Sequence, residues 1–282
     1  MKDAVRWVVV TGARGGIGAA CTRALARSGF RVVAATRQES PAAAEREGGP
    51  APAMSLALDI TSDDAIANAV TRVRQAVGDA GLYAIVNCAG SAASGPMESC
   101  TREELLRLFD VNAAGPLAVV RAVLPLLRQS HGRIVNIGST SGQIPGAFNG
   151  AYCGTKFALD AMHDVLRAEL ATSGVAVSLI VPGVITTPFW KKAGASQSQA
   201  RERLLSTGVD HYEAALERRQ RVVEALSSSG LPPESVAEVV VEALSASNPR
   251  SRYVVGQDAR WKLALWRILP GLLRERVIRR GL

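Results

Sequence analysis

The chain is poor in cysteine, histidine and aromatic residues: its 282 residues hold four cysteines, three histidines and 5% aromatics. Cys21, Cys88, Cys100 and Cys153 are scattered, with no Cys-x-x-Cys pair and no Cys/His metal spacing. That excludes a disulfide scaffold and gives no reason to expect a metal. Reduced, mostly buried thiols in a cytoplasmic protein are expected instead. No run of 18 apolar residues exists, so no spanning helix is expected. The start, Met1 to Val10, holds only the short apolar run Trp7-Val8-Val9-Val10, too short for a secretion signal. Internal repeats and low-complexity linkers are also missing.

Positive charge is not missing. The formal net charge is +8, which by itself suggests an anionic partner. Its distribution narrows this. Residues 250–282 carry nine basic residues against Asp258 and Glu275, a net of +7, so residues 1–249 carry only +1. A near-neutral body with a basic tail is not a protein that coats nucleic acid, and no interleaved aromatic platform accompanies the arginines. Within the tail, Trp261, Ala264, Leu265 and Ile268 recur at i, i+3, i+4 and i+7, one apolar helical stripe. Pro270-Gly271 interrupts it, and Leu272, Leu273, Val277 and Ile278 resume. Such a segment docks on its own subunit, on a partner, or peripherally on an anionic membrane.

The body reads as alternating strands and helices. Short apolar, β-branched runs at 7–10, 31–36, 54–58, 83–87, 133–138 and 175–181 are near-continuous, as in strands buried on both faces of a parallel sheet. Helical patterns at 16–28, 62–77, 101–129 and 152–172 lie between them. Thr61 or Ser62 caps the second, and Thr101 with Glu104 forms a capping box for the third. One doubly wound α/β domain follows. After Pro182 a polar, helix-rich insert at 185–230 stands where a short connection would suffice, the mark of a lid. Pro232-Pro233-Glu234 opens a further helix to about Ser247, and 252–255 reads as a last strand.

The first strand runs into Thr11-Gly12-Ala13-Arg14-Gly15-Gly16-Ile17-Gly18. Glycines permit a tight turn and let backbone N–H groups and a helix N-terminus approach a pyrophosphate. The spacing is G-x-x-x-G-x-G, not G-x-G-x-x-G.

Here the chain resembles the short-chain dehydrogenase/reductase family, and the resemblance recurs in order over residues 5–255. It implies a Rossmann-like fold, residues 1–257 forming the catalytic domain and 258–282 an amphipathic extension. It also implies a dinucleotide held by Gly12, Gly15, Gly16, Ile17 and Gly18. Asn87-Cys88-Ala89-Gly90 resembles the family's Asn-Asn-Ala-Gly, with Cys88 in place of the second Asn; Asn87, Ala89 and Gly90 are expected at the cofactor. Asp59 and Ile60 match the family's adenine contact. Pro182, Gly183, Val184, Ile185 and Thr187 resemble its segment beside the nicotinamide. The second strand ends Ala34-Ala35-Thr36-Arg37, so no carboxylate is there to repel a 2′-phosphate. Arg37 and Arg14 are positioned to grip one, Arg14 one place earlier than the family's usual basic residue because Gly15 takes that slot. The expected cofactor is NADP(H).

Tyr152-Cys153-Gly154-Thr155-Lys156 places a phenol and an ammonium on one helix face. A nearby cation favours phenolate and lowers a pKa that is otherwise about 10. Thirteen residues upstream, Ser139 matches the family's serine, a donor to the substrate oxygen. Asn112 matches its helix asparagine, implied to hold a proton-relay water. The implied reaction is hydride transfer between the nicotinamide and a carbonyl or secondary alcohol, with Tyr152 as acid/base. Lys156 would also bind the nicotinamide ribose. Phe189, Trp190, Leu204, Leu205, Val209 and Tyr212 in the insert, the loop 91–97, and Gln143 and Phe148 are expected as pocket walls. Together they resemble members acting on steroids, retinoids or polycyclic ketones. His163 and His211 are read as structural. The leading expectation is an NADPH-dependent ketoreductase of a bulky hydrophobic carbonyl. A sterol- or retinol-like alcohol dehydrogenase and a non-catalytic NADP(H)-binding regulator are the alternatives. The resemblance further implies a homodimer or homotetramer built on the helices at 101–129 and 152–172.

Overall fold

The structure, a computed structural model, describes residues 5–38 and 51–280. Met1 to Ala4, part of the start read above, lie outside the described residues. Seven strands form one parallel sheet in the order β3-β2-β1-β4-β5-β6-β7. They are β1 (Trp7–Thr11), β2 (Arg31–Thr36), β3 (Met54–Ala57), β4 (Ala84–Asn87), β5 (Arg133–Ile137), β6 (Ala176–Pro182) and β7 (Arg252–Val255). All seven match the runs read from the sequence.

Strand pleating sorts the side chains. Val8 and Val10 of β1, with Val32 and Ala34 of β2, enter one core with α1 (Gly16–Arg27) and α8 (Glu234–Ser245). Val9, Val33 and Ala35 enter the opposite core with α2 (Asp63–Val77) and α4 (Gly115–Gln129). Each strand is therefore apolar on both sides, which is why the sequence shows runs rather than alternation. Chain order reverses between β1 and β4: β2 lies on one side of β1 and β4 on the other, both in parallel register. A crevice opens at the carboxyl ends of strands at such a switch point.

The expected helix at 101–129 is continuous but not uniform. α3 (Arg102–Phe109) starts at the predicted box: Thr101 Oγ1 accepts from Glu104 N, and Glu104 Oε2 accepts from Thr101 N. At Asp110–Ala114 the helix widens into a π turn, closed by Gly115 N–H donating to Asp110 O five residues back. By length and composition the run Arg102–Gln129 is apolar enough to cross a membrane, with a mean hydropathy of 1.3. The sequence reading had found none. Its apolar stripe, Val119, Val120, Val123, Leu126 and Leu127, is packed against the sheet, and that burial accounts for the composition.

α5 (Gly150–Glu169) carries the Tyr-x-x-x-Lys segment. The insert folds as α6 (Phe189–Ser206) and α7 (Glu213–Ser229). α6 is tied to the body: Arg203 pairs with Glu104 at 2.8 Å, and Ser94 Oγ lies 3.4 Å from Gln197 Oε1. The tail forms α9 (Gln257–Ile268) and α10 (Gly271–Arg280). Ala259 and Leu263 are its buried face, and Leu263 packs with Leu179, Val181 and Ile144. The stripe read from the sequence points the other way: Trp261 is 74%, Leu265 56% and Ile268 79% exposed. Two residues of helix turn a side chain by about 200°, so packing on 259 and 263 sends 261 and 265 outward.

Candidate active site

The glycine loop is built with no room to spare. Gly12 has φ +65°, and a Cβ there would meet Ala89 Cα at 2.7 Å. A Cβ on Gly18 would lie 2.2 Å from Gly12 O, and one on Gly16 would lie 2.5 Å from Thr187 Cγ2. Gly15 N–H donates to Gly12 O at 2.9 Å. Thr11 Oγ1 accepts from the N–H groups of Cys88 and Ala89, both at 3.2 Å, joining the end of β1 to the loop after β4. The loop backbone and the first turn of α1 thus face the crevice bare of side chains, a cradle that fits a dinucleotide pyrophosphate. Ala89 and Gly90 line the same crevice, as do Pro182, Gly183, Val184, Ile185 and Thr187 across from them. Cys88 turns its thiol to Cys21, and that bond, with burial, raises the Cys21 pKa.

Asn87 is not on the wall. Its side chain is buried, Nδ2 donating to Asn136 Oδ1 at 2.9 Å between β4 and β5, beneath the loop. Its own Oδ1 has no partner among the described residues. At the other end of the cradle Thr36 is buried and donates to Gln38 O at 2.6 Å. Arg37 is exposed, with its Nε 3.8 Å from Asp59. Asp59 accepts from Thr61 N at 3.0 Å and Thr61 Oγ1 at 2.7 Å, and these bonds hold its carboxyl below the usual range. Arg14 stands exposed on the loop, and Ile60 is buried against the helical turn at Gly115.

Ser139 follows β5, its Oγ accepting from Ser141 N at 3.1 Å and bonding the Tyr152 hydroxyl. Tyr152 and Lys156 are both buried on one face of α5. Lys156 Nζ donates to Ile137 O at 2.9 Å and lies 5.9 Å from the Tyr152 ring centroid. Burial lowers Lys156 to about 8. The phenol does not follow the expectation of a lowered pKa: burial pushes it well above its ordinary value, and the Ser139 bond opposes this only in part. Desolvation of a group in an apolar wall outweighs a single hydrogen bond here.

Asn112 sits in the π turn, 1% exposed. Its Oδ1 accepts from Ser91 N at 2.7 Å, and its Nδ2 donates to Ser91 O at 2.9 Å and Thr155 Oγ1 at 3.1 Å. The side chain therefore clamps the loop after β4 to α5, one residue before Lys156.

These groups surround a cleft of about 270 Å³. Phe189 and Trp190 line it as expected; the Phe189 ring lies 5.2 Å from that of Tyr152, and Trp190 Nε1 donates to Ile185 O. Two expected walls do not line it. Gln143 turns its amide to Asp160 Oδ1 on α5 at 3.2 Å. Phe148, at φ +62°, faces a neighbouring depression and stacks edge-on with Tyr212 at 6.1 Å. Leu204 is buried within the lid packing and Leu205 is exposed, so neither reaches the cleft. Missed by the sequence reading were Arg219 and Leu226 of α7 and Lys262 of α9, all on the cleft wall. Leu216, Arg219, Val223 and Leu226 follow helical spacing, and a charge interrupting that apolar stripe was the available signal.

The family model for short chain dehydrogenases matches residues 6–198. Human retinol dehydrogenase 5 is 34% identical over 96% of this chain and 87% of its own length. The NADPH-dependent 3-dehydrocapnine reductase of Ornithobacterium rhinotracheale is 31% identical over 99% of this chain and 98% of its own. A crystal structure of a metagenomic short-chain oxidoreductase in complex with NADP superposes with a TM-score of 0.67 at 30% identity, covering 89% of this chain and 96% of that one. With the glycine cradle at the switch point and the Ser139–Tyr152–Lys156 group above it, the chain belongs to the short-chain dehydrogenase family, a nicotinamide-dependent oxidoreductase that interconverts CH–OH and C=O.

Proposed function

We propose that the enzyme is an NADPH-dependent ketoreductase acting on a bulky hydrophobic carbonyl, with Tyr152 as the general acid. The observation that carries this reading is the buried Ser139–Tyr152–Lys156 group at the floor of the lidded cleft. The cofactor, when bound, supplies the hydride and, once oxidised, a positive charge beside the phenol. Ser139 donates to the substrate oxygen and stabilises the charge developing there. Tyr152 Oη delivers the proton. Lys156 holds the ribose hydroxyls and, as an ammonium, favours loss of that proton. Asn112 keeps loop 91 and α5 in register, supporting the relay from Lys156 outward. Phe189 and Trp190 exclude water from the reacting face. The NADP(H) preference rests on the absence of a carboxylate at the end of β2 and on Arg37 beside it, and a relative over nearly the whole chain is named as NADPH-dependent. The oxidative direction is the second reading, favoured by the name of the retinol dehydrogenase relative.

NADPH oxidation measured against a panel of bulky ketones tests the proposal. Wild type turns over, Tyr152→Phe loses roughly 10³-fold in kcat while still binding NADPH, and NADH serves poorly. Equal use of NADH would sink the cofactor assignment, and oxidation of alcohols with NADP⁺ faster than ketone reduction would favour the second reading.

Exposed apolar residues Leu106, Leu117, Phe157 and Val165 on α3, α4 and α5 support assembly of a homodimer or homotetramer through these helices. The outward stripe of Trp261, Leu265, Ile268 and Leu272 among arginines supports peripheral contact with an anionic lipid surface. Co-sedimentation with vesicles containing phosphatidylserine, lost on Trp261→Glu, tests that contact. We assign the enzyme to the cytoplasm on its free thiols.

A further inference from the structure

Among the described residues the cleft wall carries four cations, Lys156, Lys192, Arg219 and Lys262, and no carboxylate. Lys156 is accounted for by the chemistry above. Lys192, exposed at the start of α6, faces both the cleft and the depression beside it. Arg219 and Lys262 belong to neither the cradle nor the catalytic group. Arg219 reaches in from α7 at a position of its apolar stripe and lies close enough to Cys153, the neighbour of Tyr152, for each to shift the other's ionisation. Burial lowers the Arg219 pKa, and its Nε is buried without a hydrogen-bond partner among the described residues. Lys262 comes from α9, one residue before Leu263, which packs on Ile144 of the wall. Neither Arg219 nor Lys262 has an ion pair among the described residues. A partly desolvated guanidinium with its Nε unpaired is costly, and an acidic group on the bound molecule lowers that cost.

Resting on the ketoreductase reading, we propose that the substrate carries an acidic group, a carboxylate, sulfonate or phosphate on its hydrophobic frame, and that Arg219 with Lys262 binds it. This makes the cleft selective by charge as well as by size. It explains why a cation stands in the lid where an alkyl side chain would pack better.

The test pairs a medium-chain keto acid with its methyl ester. Wild type prefers the acid, and Arg219→Leu lowers the acid-to-ester ratio of kcat/KM by about 30-fold, the worth of one charge-assisted bond. Arg219→Lys recovers part of that ratio, and Lys262→Gln lowers it less. Calorimetry on the NADPH-loaded enzyme with alkyl carboxylate, sulfonate and phosphate of equal chain length, against the alkyl alcohol, separates the three acids without turnover. Arg219-dependent binding of an acid by an enzyme that reduces nothing would retain this proposal and remove the ketoreductase reading. An unchanged acid-to-ester ratio in Arg219→Leu, with ketones still reduced, would overturn the proposal alone. A loss of NADPH affinity in Arg219→Leu, with that ratio intact, would assign the arginine to the cofactor and equally overturn it.

Discussion

The cofactor cradle and the lid close the same cleft by opposite means. In the cradle the backbone does the work. Gly12, Gly16 and Gly18 each stand where a Cβ would fall under 3 Å from a neighbour, and Thr11 bonds the next loop directly. In the lid the side chains do the work. Phe189, Trp190, Arg219 and Leu226 reach in from two helices whose own glycine, Gly194, has nothing within 4 Å of a built Cβ. A surface made of backbone fixes one ligand geometry and tolerates no substitution. A surface made of side chains can be retuned one residue at a time, which suits a shared cofactor on one side and a particular substrate on the other.

Substitutions that set the two regions against each other sharpen this contrast. Gly18→Ala should have the largest effect. Its Cβ would meet backbone rather than a flexible side chain, so cofactor binding measured by NADPH fluorescence should be lost and stability should fall by about 1–3 kcal/mol. Retained NADPH affinity would break the comparison. Arg37→Ala should act on the cofactor alone, raising the NADPH KM about tenfold and leaving the NADH KM within about twofold. His163, on α5 beside Ser251 and outside both regions, should affect stability only. Burial holds it at about 4, so the folded chain binds fewer protons than the unfolded one between pH 4 and 6.5. Stability should therefore fall as pH drops through that window. Thermal denaturation should show a loss of roughly 1–2 kcal/mol there, absent in His163→Gln. Gly194→Ala should have the smallest effect, a gain of about 0.5–1 kcal/mol in helix stability with unaltered kinetics.

The same contrast decided what could be read from the sequence. The strands were legible because burial on both faces leaves only apolar residues, as in Val8-Val9-Val10 and Val32-Val33-Ala34-Ala35. The cradle was legible because only glycine fits it. Ser139, Tyr152 and Lys156 were legible through the family resemblance, which their spacing from strand end to helix turn carries. The widened turn at Asp110–Ala114 was not, since nothing in Asp-Val-Asn-Ala-Ala departs from an ordinary helix. The pocket walls were the weakest reading. Which way α7 and α9 rotate depends on partners far away in sequence. Gln143 and Phe148 lay at suitable positions but found Asp160 and Tyr212 instead. The tail shows the same effect: its amphipathic stripe is legible as a stripe, and its direction is set by the burial of Ala259 and by Leu263 packing on Leu179 and Val181 of β6.

The π turn has a consequence for how this chain tolerates insertion and deletion. It holds one residue more than an α-helical turn would need over the same span. Removing a single residue there would let the helix run straight from Arg102 to Gln129 at no cost in backbone hydrogen bonds. The segments on either side would keep their faces, because the widened turn absorbs its extra residue without rotating them. The Ser91 clamp made by Asn112 would be lost while the core under α4 stayed packed. A frame-preserving deletion of one codon in this turn should thus yield a folded protein with a disordered substrate loop, a lesion that a stability screen would pass and an activity screen would catch.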